Sequence, residues 1–322
     1  MTRNLVTGAD GFVGQHLVAE LLARREDVVG AVLETPPQLK TLGQDEAARV
    51  QWATVDMRSQ KSVANLVRTV RADRVFHLAA LASAGKSLED PVPPFEVNAV
   101  GTLLLLEELR KARLDTGDDP QVLISGSAEV YGSASTRFQP LTEDCPIEPL
   151  NPYAVSKVAQ EILGVQYHRA EGLSVVVTRS FNHIGPGQHS AFVAPQLAQS
   201  IRGIRNQGGT GPVEIGNPAI RRDFTDVRDV VRAYVALTES GRAGGVYNVC
   251  SGRSYSIGEL VEILVDLAGV EVQVKTDPNR ARRVDVPEMV GSYARLAEAT
   301  GWMPEIDMRQ SLSDLLASLE TG

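Results

Sequence analysis

The segment TGADGFVG, Thr7 to Gly14, places three glycines at three-residue intervals between an apolar run and a helical pattern. A glycine after a strand permits a tight turn, the next lets the backbone approach a pyrophosphate, and the third lets the helix pack closely. The helix N-terminus attracts the anion. The spacing differs from the usual GxGxxG, but its place after the first strand favours the same function. We therefore expect a nicotinamide dinucleotide site that includes Gly8, Gly11, Phe12, Val13 and Gly14.

The first half of the chain alternates short apolar runs, such as RVFHLAA and QVLIS, with helical patterns such as SVANLVRTVR. This alternation predicts βαβ units and a parallel sheet, and the nearly unbroken apolar runs are typical of strands covered on both faces. We expect an α/β chain with a doubly wound parallel sheet over residues 1–180, to which residues of about 225–255 return. A smaller, discontinuous C-terminal α/β part would comprise residues 181–224 and 256–322.

The charge and composition exclude several classes of partner. A net charge of -8 over 322 residues argues against nucleic acid, because duplex binders normally carry a basic face. Cys145 and Cys250 are too few and too far apart for a disulfide framework or a zinc site. The start of the sequence has no apolar signal core, and the chain has no long apolar span, so we expect a cytoplasmic protein without membrane contact.

Basic residues form two islands on this acidic chain, Arg221–Arg222 and the group Arg280, Arg282 and Arg283. Each island is either a solvated surface loop or a site for an anion. The islands alone do not separate these two interpretations.

The preference between the two nicotinamide cofactors depends on the end of the second strand, VVGAVLETPP. A carboxylate there binds the ribose hydroxyls of NAD, whereas an arginine accommodates the extra phosphate of NADP. Glu34 and the missing arginine at Val32 and Leu33 favour NAD weakly, so both NAD and NADP remain open. Asp56, after the third strand, is the better candidate for an adenine contact.

The segment NPYAVSK begins as a helix should, with Asn151 placed to cap it and Pro152 at its first position, and the helical pattern stops at Gly172. Tyr153 and Lys157 are four residues apart and therefore project from one face. A lysine cation beside a phenol favours the phenolate, which would give Tyr153 a useful acid–base range. Ser127 would hydrogen bond to a substrate oxygen.

These motifs together resemble the extended short-chain dehydrogenase/reductase family, the nucleotide-sugar epimerases, dehydratases and reductases. The resemblance extends over essentially the whole chain, through TGADGFVG, Asp56, HLAA, VNAVGT, Ser127, YAVSK and RSFNHIGPGQ. It implies a Rossmann domain with Ser127, Tyr153 and Lys157 as the catalytic triad, and Lys157 on the nicotinamide ribose. It adds cofactor contacts at Met57, Leu78, Ala79, Ala80 and Asn98, and gives His77 a structural role. Family members commonly form homodimers through two helices per subunit. The helices of LLLLEELRKA and of Tyr153 have the apolar surplus for this, but the same surplus fits helices that cover the sheet.

The later motifs RSFNHIGPGQ, RRDFTDVRD and YNVCSG look like the GDP-mannose branch of the family, and most like the GDP-4-keto-6-deoxy-D-mannose reductases. The resemblance implies that Asn182 contacts the sugar diphosphate and that Arg222 and Arg282 bind it. The expected reaction is NAD(P)H-dependent reduction of the C4 ketone of a GDP-4-keto-6-deoxyhexose, with GDP-rhamnose as one product.

Glu129, two residues after Ser127, keeps other reactions open. GDP-mannose 4,6-dehydratases have a glutamate base at this position, but the resembling reductases also keep a carboxylate in the turn. The dehydratases usually have threonine where this chain has Ser127 and lack an NHIGPGQ segment of this kind, which favours the reductase. A dehydratase, an epimerase or another sugar ketoreductase are the alternatives. A non-catalytic redox sensor is disfavoured because Tyr153 and Lys157 are both present.

Overall fold

The computed structural model describes residues 1–277 and 286–320. Its strands are β1 Arg3–Thr7, β2 Asp27–Val32, β3 Gln51–Thr54, β4 Arg74–His77, β5 Gln121–Ser125, β6 Val175–Ser180, β7 Asn182–Ile184, β8 Thr210–Ile215, β9 Arg221–Asp226, β10 Val246–Val249, β11 Ser254–Ser256, β12 Glu271–Thr276 and β13 Glu288–Met289. Its helices are α1 Phe12–Ala23, α2 Gln44–Ala47, α3 Gln60–Val70, α4 Ala84–Glu89, α5 Val92–Phe95, α6 Gly101–Thr116, α7 Pro152–Glu171, α8 Val193–Asn206, α9 Val227–Ser240, α10 Ile257–Ala268, α11 Ala294–Thr300 and α12 Met308–Ser318, with a π-helical segment Glu96–Val100 and a 3₁₀ segment Ala128–Thr136.

Seven strands form one parallel sheet in the order β3-β2-β1-β4-β5-β6-β10. This is the doubly wound order, in which the direction of winding reverses between β1 and β4. The predicted fold class is therefore confirmed. Ligands of such sheets bind at the carboxyl ends of the strands beside the reversal, and both the glycine loop after β1 and the Leu78–Ala80 segment after β4 lie there.

Apolar side chains cover both faces of this sheet. One face packs against α1, α9 and α11 around residues such as Leu17, Phe76 and Val230. The other packs against α3, α6 and α7 around residues such as Leu105 and Ile124. Because each strand contributes side chains to both layers, the strands read as continuous apolar runs rather than as an alternating pattern.

A second set of strands lies outside the large sheet. Strand β9 pairs with β7, β11 and β13, and β8 pairs with β12. Helices α8, α10 and α12 bury a third apolar cluster with residues of β7, β8 and β9. Strand β10, although it follows β9 in the chain, belongs to the large sheet. The exact division into two domains remains a prediction.

Among residues 1–277 and 286–320, no helix has both the length and the apolar character that a membrane crossing requires.

Candidate active site

The glycine loop forms a close backbone cradle at the start of α1. Gly8 has a φ of +69°, and a Cβ there would lie 2.9 Å from the backbone nitrogen of Ala79. A Cβ on Gly14 would lie 2.2 Å from the carbonyl oxygen of Gly8. Gly11 precedes α1, and no side chain caps this end of the described helix. The first backbone N–H groups, which include those of Phe12 and Val13, are therefore left for an anionic ligand, so the loop fits a dinucleotide pyrophosphate.

His77, at the end of β4, is a structural residue in a satisfied hydrogen-bond network. Its Nδ1 lies 2.9 Å from Thr7 Oγ1 and its Nε2 lies 2.9 Å from Thr102 Oγ1. Thr102 donates its proton to the carbonyl oxygen of Asn98, which makes His77 Nε2 the donor in its contact with Thr102. Burial, with the charge of Lys157, lowers the pKa of His77 to about 3. His77 is thus neutral at physiological pH, with its one ring proton in the hydrogen bond to Thr102.

Asn98 connects the segment after β4 to the helix of Tyr153. It is buried in the π-helical segment, its Oδ1 accepts from Leu81 N at 2.9 Å, and its Nδ2 donates to Ser156 Oγ at 2.9 Å. Thr7 Oγ1 accepts from Ala79 N in the same segment. These bonds fix the backbone of Leu78, Ala79 and Ala80 beside the glycine loop. π-Helical turns are frequent at functional sites.

The ends of β2 and β3 carry the residues that the sequence predicts to contact the adenosine half of the cofactor. Glu34 is exposed after β2, and Leu33 is also exposed. Asp56 follows β3 and accepts bidentate hydrogen bonds from Arg58 at 3.0 and 2.9 Å. These bonds lower the pKa of Asp56, which is therefore ionised. Met57 is buried against Gly101, and a Cβ on that glycine would lie 3.0 Å from the Cβ of Met57, a tight contact.

The predicted triad residues lie together around the first turns of α7. Asn151 caps this helix, since its Oδ1 accepts from Ala154 N at 2.8 Å, and Gly172 ends it in a left-handed conformation, as predicted. Tyr153 and Lys157 are both buried, and the lysine Nζ lies 5.9 Å from the centre of the tyrosine ring. Lys157 Nζ donates to the carbonyl oxygen of Ser125 at 2.8 Å.

The acid–base state of Tyr153 differs from the sequence expectation. Burial raises the pKa of Tyr153 above its ordinary value, and the charge of Glu129 adds to this effect, whereas a hydrogen bond with Ser127 opposes it. The expected lowering by Lys157 is not found in the protein alone, because burial also lowers the pKa of Lys157, to about 7. Tyr153 therefore keeps its proton at neutral pH, as a proton donor must.

Glu129 lies in the 3₁₀ segment that follows β5, close to the triad. Its backbone N–H donates to Ser127 Oγ at 3.2 Å, and its Oε2 accepts from Asn151 Nδ2 at 3.2 Å. The carboxylate is thus both a member of the turn and a charge that acts on Tyr153. The geometry alone is compatible with an electrostatic or a basic role.

The residues predicted to bind the sugar diphosphate are on β7 and β9. Asn182 is half-buried at the start of β7. Arg222 is buried, and its Nη1 donates to the carbonyl oxygens of Arg221 and Val286. Arg221 forms an ion pair with Glu259, so the two members of the island have different environments. Arg282, like Arg280 and Arg283, lies outside the described residues.

Sequence reasoning missed three buried polar atoms next to this region, Nδ1 of His183, Oε1 of Gln188 and Oγ1 of Thr225, which have no hydrogen-bond partner among the described residues. His183 and Thr225 are neighbours across β7 and β9, and Gln188 Nε2 donates to the carbonyl oxygen of His183 at 2.8 Å. Burial lowers the pKa of His183 to about 4, so it is neutral. Unsatisfied donors and acceptors of this kind require a partner, which a water molecule or a polar group of a ligand can supply. The only sequence signal was their place within the RSFNHIGPGQ and RRDFTDVRD motifs.

Another missed residue is Gln15, which supports the glycine loop from the first turn of α1. Its Oε1 accepts from the backbone nitrogens of Lys40 and Thr41 at 2.7 and 2.9 Å, and its Nε2 donates to Asp10 O at 2.7 Å. Gln15 therefore connects the segment after Glu34 to the glycine loop. Nothing in its sequence context distinguishes it from a surface glutamine.

Residues 5–315 match the family described as GDP-mannose 4,6 dehydratase. The chain is 39% identical over 322 residues to the GDP-6-deoxy-D-mannose reductase of Pseudomonas aeruginosa, which covers 100% of this chain and 98% of that relative. A solved structure of RMD from Pseudomonas aeruginosa complexed with NADPH is similar with a TM-score of 0.83 at 38% identity, covering 100% of this chain and 99% of that one. The UDP-glucose 4-epimerase of Thermus thermophilus in complex with NAD has a TM-score of 0.86 at 30% identity, with 99% of each chain covered.

The resemblance expected from the glycine loop, YAVSK and the later motifs is therefore confirmed. The match extends over nearly the whole sequence and includes both the large sheet and the smaller strands. The chain belongs to the GDP-mannose 4,6-dehydratase-like family of extended short-chain dehydrogenases/reductases.

Proposed function

We propose that the protein reduces the C4 ketone of a GDP-4-keto-6-deoxyhexose with NADH or NADPH, giving a GDP-6-deoxyhexose such as GDP-rhamnose. The observation that carries this proposal is the buried Tyr153, which keeps its proton and has both Ser127 and Lys157 beside it. A ketone reduction requires a proton donor at this place. The 39% identity to a GDP-6-deoxy-D-mannose reductase supports the choice of substrate.

A reduced nicotinamide cofactor, held by the glycine loop and Lys157, would supply the hydride for C4 of the sugar. Ser127 donates a hydrogen bond to the ketone oxygen and polarises it. Tyr153 gives its proton to that oxygen as the carbonyl becomes an alkoxide, so that the product is an alcohol and the tyrosine is left as phenolate. Lys157 stabilises this phenolate by its charge, which is effective because both groups are buried.

We assign the binding of the nucleotide groups to the residues that the motifs indicate. Gly8, Gly11 and Gly14 with the start of α1 would hold the cofactor pyrophosphate, and Asp56 and Met57 would lie at the adenine. Arg222, Asn182 and Arg282 would bind the sugar diphosphate. For cofactor preference, the exposed Glu34 at the end of β2 supports NAD weakly.

A 4,6-dehydratase is the second candidate, and Glu129 is the observation that favours it. The carboxylate lies close enough to Tyr153 to raise its pKa, and a dehydratase needs a base for the C5 proton. Dehydration uses the cofactor in a closed cycle, because the hydride removed from C4 returns to C6. This difference separates the two reactions experimentally.

The test supplies the purified protein with GDP-mannose and no added nicotinamide, and measures the mass of the sugar nucleotide. We expect GDP-mannose to survive, and supplied GDP-4-keto-6-deoxymannose to be consumed with NADH or NADPH. The two reduced cofactors, compared at equal concentration, give the preference. Accumulation of a product lighter by one water would overturn the reductase and support the dehydratase.

We also propose that the protein is a homodimer in the cytoplasm. Apolar side chains of α6, α7 and the segment before α6 are exposed, among them Val100, Leu103, Val155 and Ile162. A patch of this kind on a helix pair is typical of a protein interface. Both cysteines are free, which is consistent with a reducing compartment.

Light scattering measures the mass of the protein as it elutes from a size-exclusion column and so tests whether it is a dimer. We expect Leu103→Glu and Ile162→Glu to give a monomer, whereas Val274→Glu, a control at an exposed apolar residue of β12, leaves the dimer intact. A monomeric wild-type protein would contradict this part of the proposal.

A further inference from the structure

Tyr234 is a buried phenol that the proposed reaction does not use. It is 0% exposed on α9, which covers the face of the sheet opposite to α7. The apolar surroundings account for an aromatic ring at this position. They do not account for the hydroxyl group, which needs a hydrogen-bond partner when it is buried.

The hydroxyl of Tyr234 joins the carboxyl ends of two neighbouring strands. It lies 3.1 Å from Ser125 Oγ, at the end of β5, and 2.8 Å from Ser180 Oγ, at the end of β6. Ser180 Oγ in turn lies 3.2 Å from Thr178 Oγ1. Because a phenol has one proton and can also accept, Tyr234 can donate to one serine and accept from the other. We call Ser125, Tyr234 and Ser180 the hydroxyl bridge.

The hydroxyl bridge meets the active site at Ser125. The backbone carbonyl of this serine accepts from Lys157 Nζ at 2.8 Å, so the same residue bonds to Tyr234 through its side chain and to Lys157 through its backbone. The next residue is Gly126, where a Cβ would lie 2.1 Å from the carbonyl oxygen of Thr178. The chain therefore leaves β5 in close contact with β6, where the hydroxyl bridge joins the two strands.

We infer that Tyr234 is a positioning residue for Lys157. Its hydroxyl holds Ser125 to Ser180 from the opposite face of the sheet and so keeps the Ser125 carbonyl directed at the lysine ammonium. The inference rests on the proposed 4-keto reduction, in which the charged lysine stabilises the Tyr153 phenolate. Loss of the hydroxyl loosens the carbonyl and weakens the hydrogen bond that favours the charged lysine.

Few other groups near this lysine, among the residues that the structure describes, can titrate. Tyr153 faces it from the same helix, and the neutral His77 faces it from β4. Glu129, from the 3₁₀ segment, and Tyr234, from α9, act electrostatically on Tyr153. Of these, only the substitution of Tyr234 changes the hydrogen bonding of Ser125, so the behaviour of Lys157 reports on the hydroxyl bridge.

The test compares Tyr234→Phe with the matched control Tyr247→Phe, which removes another buried phenol oxygen, the acceptor for Arg242 N at 2.9 Å. The first readout is the NMR titration of the Lys157 ammonium in the cofactor-free protein, assigned with Lys157→Met. We expect a lower titration midpoint in Tyr234→Phe than in wild type and an unchanged one in the control. The second readout is steady-state kinetics, where we expect kcat to fall about tenfold with little change in KM.

A Lys157 midpoint in Tyr234→Phe equal to that of wild type would overturn the inference, whatever the value of kcat. If Tyr234→Phe does not fold, Ser180→Ala removes the other end of the hydroxyl bridge and carries the same expectations. The titration needs no substrate, so it decides the role of Tyr234 independently. A wild-type protein that leaves the 4-ketone unchanged with both cofactors would overturn the proposed function, not the titration result.

Discussion

The ammonium of Lys157 donates a 2.8 Å hydrogen bond to the backbone carbonyl of Ser125, and this bond joins helix α7 to the end of strand β5. The lysine is therefore fixed by the sheet rather than by its own helix alone. Since Tyr153 is one turn earlier on α7, the same bond fixes the distance between the two side chains.

Tyr153→Phe removes the proposed proton donor but keeps the ring. We expect kcat for the 4-ketone to fall about 10²- to 10⁴-fold, the usual contribution of a positioned acid. Binding of the reduced cofactor, measured by fluorescence, should persist, because the glycine loop is untouched. Unchanged turnover would contradict the assignment of Tyr153 as the proton donor.

The buried Lys157 gives the cofactor-free protein a characteristic pH dependence of stability. Burial lowers its pKa from 10.5 to about 7, so between these values the unfolded chain binds more protons than the folded one. The free energy of unfolding therefore rises with pH over this interval, relative to a protein that lacks this group. Urea unfolding of the wild type and of Lys157→Met across this range should show the difference. Parallel curves for the two proteins would contradict the burial of a titrating lysine.

Gly14→Ala should destabilise the protein and abolish cofactor binding, because its Cβ would lie 2.2 Å from the Gly8 carbonyl oxygen. Overpacking of this kind costs about 3 kcal/mol. The matched control is Gly203→Ala in α8, where a Cβ meets nothing within 4 Å. We expect the control to raise the free energy of unfolding by about 0.5–1 kcal/mol, because alanine favours the helix. Thermal unfolding and cofactor titration of both variants measure these effects. Equal stability and equal cofactor affinity of the two variants would contradict the close packing described for the glycine loop.

Glu129→Gln tests whether the carboxylate is a base or only a nearby charge. Its negative charge raises the pKa of Tyr153, so its removal lowers that pKa. Reduction needs the protonated phenol, and activity is lost as the pH rises through the pKa of Tyr153. The alkaline limb of the rate profile should therefore move to lower pH, while the plateau rate changes less than about tenfold. A collapse of activity at every pH would instead support a basic role, and Glu89→Gln, on the exposed α4, serves as the control.

Arg222→Lys keeps the positive charge at a proposed diphosphate ligand but loses the planar guanidinium, whose geometry suits bidentate binding of phosphate groups. We expect KM for the sugar nucleotide to rise about 10- to 100-fold and KM for the reduced cofactor to stay constant. The exposed Arg253, next to the same strands, gives the control variant Arg253→Lys. If both KM values rise together, Arg222 supports the fold rather than the substrate.

Local patterns predicted much of this molecule. Gly8, Gly11 and Gly14 are recognisable because a turn, a close approach and a helix start each require a residue without a side chain. Asn151 and Gly172 are recognisable because helix ends expose backbone groups that few residue types satisfy. The parallel sheet followed from apolar runs that are buried on both faces. In each case the physical cause lies within a few residues of the signal.

Other features depend on contacts between distant segments and have no local pattern. The carboxylate of Asp223 accepts from the backbone nitrogens of Ser251, Gly252 and Gly291, which fixes two separate segments, 251–252 and the one at Gly291, to β9. RRDFTD therefore looks like a polar motif in sequence but forms a largely buried strand. The raised pKa of Tyr153 has a similar origin, since burial by the whole fold outweighs the opposing hydrogen bond with Ser127.

The position of β10 at the edge of the large sheet has a consequence for synthesis of the chain. Strand β6 pairs with β10 on one side, yet 65 residues, from 181 to 245, separate the two strands in sequence. A nascent chain that extends past β6 but not yet to β10 therefore exposes β6 as an open edge, which is prone to pair with other chains. Premature termination in the intervening region would produce aggregates rather than a smaller working enzyme. The segment that carries Asn182 and Arg222 cannot be exchanged as a simple C-terminal module.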